Sequence, residues 1–171
     1  MLRPIAVKSV RAGSARFAIV ASQYNARYVD AMLRAAKAVL KRAGAGKIKV
    51  IRVPGAYEIP IVAARLARQS SPIRQPAGTR NARGVTYHAI LCLGVILRGQ
   101  TSHAAHIGEA VSRALMGTQI KYEVPVIHEV LLLENEEQAR ARCLDRKHNR
   151  GAEAAQTALA MANVMKSTAG Q

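Results

Sequence analysis

Residues 88–103 read His88-Ala89-Ile90-Leu91-Cys92-Leu93-Gly94-Val95-Ile96-Leu97-Arg98-Gly99-Gln100-Thr101-Ser102-His103, and this stretch decides the fold. Its first ten residues form a run that is apolar on both faces, which is typical of a central strand in a parallel sheet. The polar residues that follow lead into a predicted helix at 104–117. A buried strand that passes through a polar turn into a helix indicates an α/β protein.

The alternation of strand and helix continues on both sides of this stretch. Short apolar runs predict strands, and apolar residues spaced by three and four predict helices. The predicted strands lie at 16–21, 47–53, 88–97 and 124–133, and the predicted helices lie at 26–43, 56–68, 104–117, 134–142 and 152–166. This order predicts one parallel sheet with helices on both of its faces.

The chain of 171 residues is long enough for one domain with a complete core and too short for two ordinary domains. We therefore expect a single domain over 1–171, with a flexible segment at 1–14. Residues 69–84 are rich in Ser, Pro, Gly, Asn and Arg and predict a basic loop on the surface.

The formal net charge of +16 favours anionic partners such as phosphorylated substrates or nucleic acid, although a solvated arginine-rich surface would give the same charge. Aromatic residues make up only 4% of the chain, which argues against a platform that stacks nucleic-acid bases. The chain has no apolar run near the ~18 residues of a membrane span and no signal-peptide pattern. We therefore expect a cytoplasmic protein with no membrane partner.

Ligands of parallel α/β sheets bind beyond the carboxyl ends of the strands. In this chain polar segments follow each predicted strand, at 22–25, 54–58, 98–103 and 134–135. His103 lies where the third of these segments meets its helix, and a histidine there could transfer a proton near neutral pH. A surface histidine without function is the alternative interpretation.

The amino end of the helix at 104–117 suits a phosphate group, although helix capping alone would explain Thr101 and Ser102. A basic cluster before the last helix could also hold a phosphate, or it could be a solvated turn. His106 follows His103 by one helical turn, but no third ligand has a persuasive spacing, so no metal site is expected. Cys92 and Cys143 match neither a zinc spacing nor a redox pair.

Six segments, taken in order and with their spacing, resemble the lumazine synthase family from about residue 16 to residue 166. They are Ile19-Val20-Ala21-Ser22-Gln23-Tyr24-Asn25, Val53-Pro54-Gly55-Ala56-Tyr57-Glu58-Ile59-Pro60, Leu93 through His103, Val124-Pro125-Val126, Glu134-Asn135-Glu136-Glu137-Gln138-Ala139, and Arg150-Gly151-Ala152-Glu153-Ala154-Ala155. The resemblance implies a three-layer α/β sandwich with a four-stranded parallel, flavodoxin-like sheet and helices on both faces.

The resemblance also implies a reaction of riboflavin biosynthesis. The family is a transferase that condenses 5-amino-6-ribitylaminouracil with 3,4-dihydroxy-2-butanone 4-phosphate. The products are 6,7-dimethyl-8-ribityllumazine, phosphate and water. The family needs no metal and no organic cofactor, so much of the catalysis is expected to come from positioning two substrates.

Site residues follow from the resemblance position by position. His103 matches the catalytic proton-transfer histidine. The positions that match substrate-binding residues are Tyr24 for stacking on the pyrimidine, Asn25 beside it, Ala56, Tyr57 and Glu58 for the ribityl chain, Val95, Ile96 and Leu97 for the pyrimidine, Gln100, Thr101 and Arg142 for the phosphate, Arg150 for the heterocycle, and His128 for closing the site from a neighbouring subunit.

Several positions depart from the family pattern. Ala104 and Ala105 stand where an aromatic residue and an acid are usual, His128 replaces an aromatic residue, and Arg150 replaces a lysine. A catalytically weak, cage-forming or ligand-binding member of the same fold is therefore the alternative function, and a nucleic-acid-binding protein ranks behind it.

The resemblance implies a homo-oligomer, either a pentamer or a 60-subunit icosahedral capsid of twelve pentamers. The expected partners are the two small-molecule substrates, with riboflavin synthase as a candidate protein partner. RNA is a candidate for nonspecific binding through the positive charge.

Overall fold

The computed structural model describes residues 11–73 and 85–168. The strands are β1 (Arg16–Ser22), β2 (Lys47–Val53), β3 (Ala89–Leu97) and β4 (Val126–Leu133). The helices are α1 (Ala26–Arg42), α2 (Ile59–Ser70), α3 (His103–Tyr122), α4 (Glu136–Ala139) and α5 (Arg150–Thr168). A 3-10 turn at Ala56–Glu58 precedes α2, and a π-helical turn at Arg140–Leu144 follows α4.

The four strands form one parallel sheet in the order β2-β1-β3-β4. Phe17 pairs with Ala89 between β1 and β3, and Leu97 pairs with Leu133 between β3 and β4. The predicted α/β fold with a flavodoxin-like parallel sheet is confirmed. Every residue of β3 except Leu97 is buried, because this central strand is covered on both faces, as its unbroken apolar run predicted.

Two apolar clusters cover the two faces of the sheet. Phe17 and Ile19 of β1 pack with residues of α1 and α5. Ala18 and Val20, which point to the opposite face, pack with residues of α2 and α3. The alternation of side chains along a strand thus sorts β1 residues into two cores, which makes the molecule a three-layer sandwich.

Helices α1 and α5 cross at very close range. A Cβ atom placed on Gly151 would lie 2.1 Å from the backbone oxygen of Met32. No side chain fits in that space, so glycine is required at the start of α5 by backbone contact with α1.

Several predicted boundaries were wrong, and the helix predicted at 56–68 is a 3-10 turn at Ala56–Glu58 followed by α2 (Ile59–Ser70). Helix α3 continues through Gly117 to Tyr122, because Thr118 keeps its buried face in register with the core. Helix α5 begins at Arg150 rather than 152, since Asn149 caps it. The predicted helix at 134–142 is divided into α4 and the π-helical turn, and β4 begins at Val126 rather than 124.

The basic loop predicted at 69–84 begins later than expected, because Gln69 and Ser70 belong to α2. The hydroxyl of Ser70 accepts a hydrogen bond of 2.9 Å from the backbone N–H of Tyr87. Residues 74–84 of that loop, and residues 1–10 of the segment predicted to be flexible, lie outside the described residues. Within the described remainder of that segment, the Ala12 N–H donates to the Ala43 carbonyl at 2.8 Å.

None of the helices in the described ranges is both long and apolar enough to cross a lipid bilayer.

Candidate active site

The turn after β1 is tied to the ends of both neighbouring strands. The Asn25 side chain donates a 2.8 Å hydrogen bond from Nδ2 to the carbonyl oxygen of Val95 on β3. The Tyr24 N–H donates to the carbonyl of Pro54, which follows β2, at 3.0 Å. Asn25 has φ of 56°, a left-handed conformation that asparagine tolerates better than most residues. These bonds gather the turn after β1 and the ends of β2 and β3 at one edge of the sheet.

The segment after β2 forms a compact turn beside Tyr24. Glu58 accepts a 2.8 Å hydrogen bond at Oε2 from the Gly55 N–H. A Cβ atom on Gly55 would lie 2.9 Å from that oxygen and 3.4 Å from the Tyr24 ring, so glycine lets the ring and the carboxylate approach closely. Ala56 is buried, whereas the rings of Tyr24 and Tyr57 are mostly exposed. The edge therefore presents two open aromatic surfaces that could stack on a planar ligand.

The loop after β3 leads directly into α3. Gln100, Thr101 and His103 are all exposed, and Thr101 Oγ1 lies 3.4 Å from the His103 backbone N–H, which donates to it. Within the described part of the chain no hydrogen bond or ion pair to the His103 ring is found. Ala104 is buried among the residues of the α2–α3 core. The position at which the family pattern has an aromatic residue is therefore occupied in this chain by a small core residue.

The ends of β3 and β4 are joined at the same edge. The Arg98 N–H donates to the Leu133 carbonyl at 2.8 Å, and Arg98 Nη1 lies 2.9 and 3.0 Å from the two carboxylate oxygens of Glu134. Both side chains are about half exposed, so this pair contributes little to stability. The backbone bond joins the start of the polar loop after β3 to the end of β4.

Asn149 connects the π-helical turn to α5. Its Nδ2 donates to the carbonyl of Cys143, and its Oδ1 accepts from the Gly151 N–H at 2.9 Å. Asn149 is buried, and it lies between Arg142, which is exposed on the turn, and Arg150, which begins the helix. One capping side chain thus sets the relative placement of two predicted substrate-binding arginines.

Arg150 is held by two carboxylates. Its Nε donates to Glu129 Oε1 at 2.7 Å, and its Nη1 donates to Glu153 Oε2 at 2.6 Å. Burial lowers the pKa of Arg150, but pairing with Glu129 and Glu153 outweighs burial and raises it overall. The guanidinium predicted to contact the heterocycle is therefore already oriented by the protein.

Glu129 is the residue of this group that sequence reasoning missed. It lies in the middle of β4 and is nearly inaccessible to solvent. An acid inside a strand whose other residues, apart from His128, are apolar was the available signal, since carboxylates are almost never buried without a partner. The sequence did not show which partner it would have.

His128 lies on the opposite flank of β4 from Glu129. Its Nε2 is 3.0 Å from the hydroxyl of Ser112 on α3, and that hydroxyl donates to the Gly108 carbonyl at 2.7 Å. Desolvation lowers the pKa of His128, and a hydrogen bond to its own backbone partly opposes this. His128 precedes the end of β4 by five residues, about 16 Å at the usual rise per residue.

The structure thus brings some predicted site residues together and leaves others apart. Those gathered at the carboxyl edge are Tyr24, Asn25, Ala56, Tyr57, Glu58, Val95, Ile96, Leu97, Gln100, Thr101 and His103. His128 and Arg150 flank β4 at a distance from this edge of their own subunit. No cluster of three or more potential metal ligands occurs among residues 11–73 and 85–168.

Comparison with known proteins extends over nearly the whole chain. Residues 14–166 match the family model described as 6,7-dimethyl-8-ribityllumazine synthase. A protein of that name from Stenotrophomonas maltophilia (strain R551-3) is 40% identical over 155 residues, which cover 90% of each chain. Its namesake from Xanthomonas euvesicatoria pv. vesicatoria (strain 85-10) is 38% identical over 159 residues, which cover 92% of this chain and 94% of the relative.

Proposed function

This chain belongs to the 6,7-dimethyl-8-ribityllumazine synthase family, and from that premise we propose that its active site is the carboxyl edge of the sheet, completed by a neighbouring subunit. The reaction is the transferase step of riboflavin biosynthesis that joins 5-amino-6-ribitylaminouracil to 3,4-dihydroxy-2-butanone 4-phosphate. The observation that carries the location is the tie of the turn after β1 to both neighbouring strands, through the bonds from Asn25 to the Val95 carbonyl and from the Tyr24 N–H to the Pro54 carbonyl.

The pyrimidine substrate is assigned to the part of the edge with exposed aromatic surface. Tyr24 stacks on the ring, with Asn25 beside it, and the strand end at Val95, Ile96 and Leu97 forms the wall that the ring meets. The turn of Ala56, Tyr57 and Glu58 takes the ribityl chain. Glu58 already accepts a hydrogen bond from Gly55, so its carboxylate is held in place to receive the hydroxyl groups of the ribityl chain.

The phosphorylated substrate is assigned to the loop after β3. Gln100 and Thr101 lie before the amino end of α3, where free backbone N–H groups and the helix dipole favour an anion. Arg142 adds a positive charge with a planar donor geometry suited to phosphate. These groups bind the leaving phosphate and so hold the carbonyl carbon near the attacking amine.

His103 is assigned the proton transfers. The 5-amino group attacks the ketone carbonyl and water leaves to give an imine, phosphate is then eliminated, and the second ring closes with loss of a second water; each step moves a proton to or from nitrogen, carbon or oxygen. In the described residues the His103 ring carries no hydrogen bond or ion pair, which leaves both ring nitrogens available to bound substrates. The acid that usually follows this histidine in the family pattern is replaced here by Ala105.

Assembly with a neighbour follows from where His128 and Arg150 lie. Both flank the edge strand β4, about 13 to 16 Å before its carboxyl end, and so they do not reach the edge of their own subunit. The apolar side chains of Met116, Ile120 and Leu132 are exposed on α3 and β4. We propose that this flank meets a second copy and supplies His128, Arg142 and Arg150 to its site, in a pentamer or a 60-subunit shell.

Two further partners follow from assembly and charge. Riboflavin synthase, which acts on lumazine, is proposed as a protein partner of a closed shell. RNA is proposed as a nonspecific ligand of the +16 chain, held through its phosphates and lost as salt rises.

The test is lumazine formation by the purified oligomer with both substrates, followed by absorbance. We expect formation well above the uncatalysed background, and His103→Ala should slow it by about 10²–10⁴-fold, the usual loss for a removed proton-transfer group. The matched control is His106→Ala, which removes an exposed histidine one turn further along α3 and should retain the wild-type rate.

A wild-type oligomer that forms no lumazine would overturn the synthase assignment. It would favour the second candidate, a cage or binding protein with weak chemistry, which the buried Ala104 after His103 supports. Equal rates for His103→Ala and wild type would remove His103 from the mechanism while leaving the site in place.

A further inference from the structure

Glu129 is a buried charge in the middle of a strand. It pairs in register with Leu93 of β3, and only 5% of its side chain is exposed. Its neighbours on the same strand, His128 and Val130, point to the opposite face. A carboxylate is expensive to bury and is tolerated only with a charged or hydrogen-bonding partner. Its position therefore calls for an explanation beyond packing.

The partner is Arg150, and the contact leaves part of the guanidinium open. Nε is bound to Glu129 and Nη1 to Glu153. Among the described residues no partner is found for Nη2. The planar group, held at two of its three nitrogens, thus has a fixed plane, and Nη2 is the nitrogen left to donate to a ligand. A lysine at this position could not be held in this way, because a single ammonium has no fixed plane.

The titratable groups around Glu129 come from two elements, α5 and the π-helical turn. Arg150 and Glu153 belong to α5, the Cys143 thiol belongs to the π-helical turn, and β3 contributes only apolar Leu93. Burial raises the pKa of Glu129 to about 7, although the charge and hydrogen bond of Arg150 lower it and the charge of Glu153 raises it further. Burial and the neighbouring Glu129 raise the pKa of Cys143 to about 11, so the thiol stays neutral.

We propose that Glu129 is a positioning residue of the synthase reaction: it fixes the plane of Arg150 so that Nη2 donates to a carbonyl oxygen of the pyrimidine substrate. This inference rests on the proposed function, in which Arg150 contacts the heterocycle. Glu129 does not touch the substrate. Glu153, which is partly exposed, supports the same plane from the solvent side.

The experiment measures kcat and KM for both substrates on the assembled oligomer of wild type and of Glu129→Gln. Glutamine keeps the shape and can still accept from Nε, but it cannot carry the charge. We expect KM for 5-amino-6-ribitylaminouracil to rise about tenfold, the effect of losing one charge-assisted hydrogen bond. KM for the butanone phosphate should stay within about twofold of wild type.

Titration provides a readout that a purely structural role would not move. In wild type, KM for the pyrimidine should rise as pH falls from 8 to 6, because protonation of Glu129 weakens its hold on Arg150. In Glu129→Gln this rise should be absent, and the difference between the two curves removes any titration of the substrate. Glu137→Gln, at an exposed glutamate on α4, is the matched control and should follow wild type.

A double-mutant comparison tests whether Glu129 acts through Arg150. In an Arg150→Gln background, Glu129→Gln should raise KM no further. An equal rise with and without Arg150, or a wild-type KM and pH profile in Glu129→Gln, would overturn the proposal. Should Arg150→Gln fail to assemble, the pH profile of Glu129→Gln decides alone. A wild-type oligomer without synthase activity would instead overturn the proposed function.

Discussion

At the scale of single residues, Arg142 has the simplest test. It lies exposed on the π-helical turn, and within residues 11–73 and 85–168 no ion pair to its side chain is found. We expect Arg142→Ala to raise KM for 3,4-dihydroxy-2-butanone 4-phosphate by about 10–100-fold, the range expected for a lost charge-assisted contact to phosphate. KM for the pyrimidine should change little.

The control for Arg142 is Arg146→Ala, an equally exposed arginine four residues further along. Steady-state kinetics with each substrate varied in turn provides the measurement. A phosphate-substrate KM that matches wild type in Arg142→Ala, or an equal rise in Arg146→Ala, would assign the phosphate to other residues.

The residue scale also shows where sequence reasoning was incomplete. The family resemblance predicted Arg150 as a substrate contact, and that remains a prediction. Its two carboxylate partners were not foreseen, because Glu129 and Glu153 lie 21 and three residues away along the chain. Only the packing of α5 against β4 brings the first of them within hydrogen-bond distance.

At the scale of secondary-structure elements, the close crossing of α1 and α5 can be tested. We expect Gly151→Ala to destabilise the protein by at least the ~1–3 kcal/mol of an overpacked core, because its Cβ atom would overlap the Met32 backbone. The thermal midpoint of the variant should be lower than that of wild type. The oligomer should be lost as well, because a displaced α5 also displaces Arg150, its first residue, from the flank that meets a second copy.

The control on the same helix is Gln156→Ala, an exposed position at which alanine is a good helix former. Its thermal midpoint should stay at or above that of wild type. If Gly151→Ala had the same thermal midpoint as wild type, α1 and α5 would be able to move apart more readily than their contact indicates.

Helix boundaries were the weakest sequence predictions, and the reasons are local. The sequence predicts that α3 ends at Gly117, but the helix continues because Thr118 still faces the core. The start of α5 was placed two residues late, because Asn149 was not recognised as the capping residue. Glycine ends a helix only when the following residues have no buried face to extend, whereas an asparagine before a helix caps it when its side chain reaches the first free N–H groups.

At the scale of the whole molecule, assembly is the main prediction. We expect analytical ultracentrifugation to give a particle of five or sixty times the 18.4 kDa subunit mass. The physical reason is that the predicted site needs residues from both flanks of β4 and from the carboxyl edge, which one subunit does not bring together.

A variant on the exposed apolar flank sharpens this measurement. Ile120→Lys places a charge where α3 exposes 69% of an isoleucine, and it should shift the protein toward monomer with loss of synthase activity. Ile61→Lys, at an equally exposed isoleucine on α2, is the control and should assemble. An active monomer in wild type would contradict the shared site.

The sequence by itself determined the fold class, the strand positions and the family. Strand and helix differ in the period of their apolar residues, and an apolar run without alternation, as in β3, places a strand at the centre of a parallel sheet. Polar segments after each strand also predicted that the site lies at the carboxyl edge. These features depend on neighbours in the chain, which a sequence shows directly.

Only the tertiary structure decided which distant groups meet. The bond from Asn25 to Val95, the Glu129–Arg150 pair and the contact of Gly151 with Met32 join residues 70, 21 and 119 positions apart. Such contacts depend on the order of strands in the sheet and on how closely helices cross over it. No local pattern carries that information, because the same periodicity is compatible with many arrangements of the same elements.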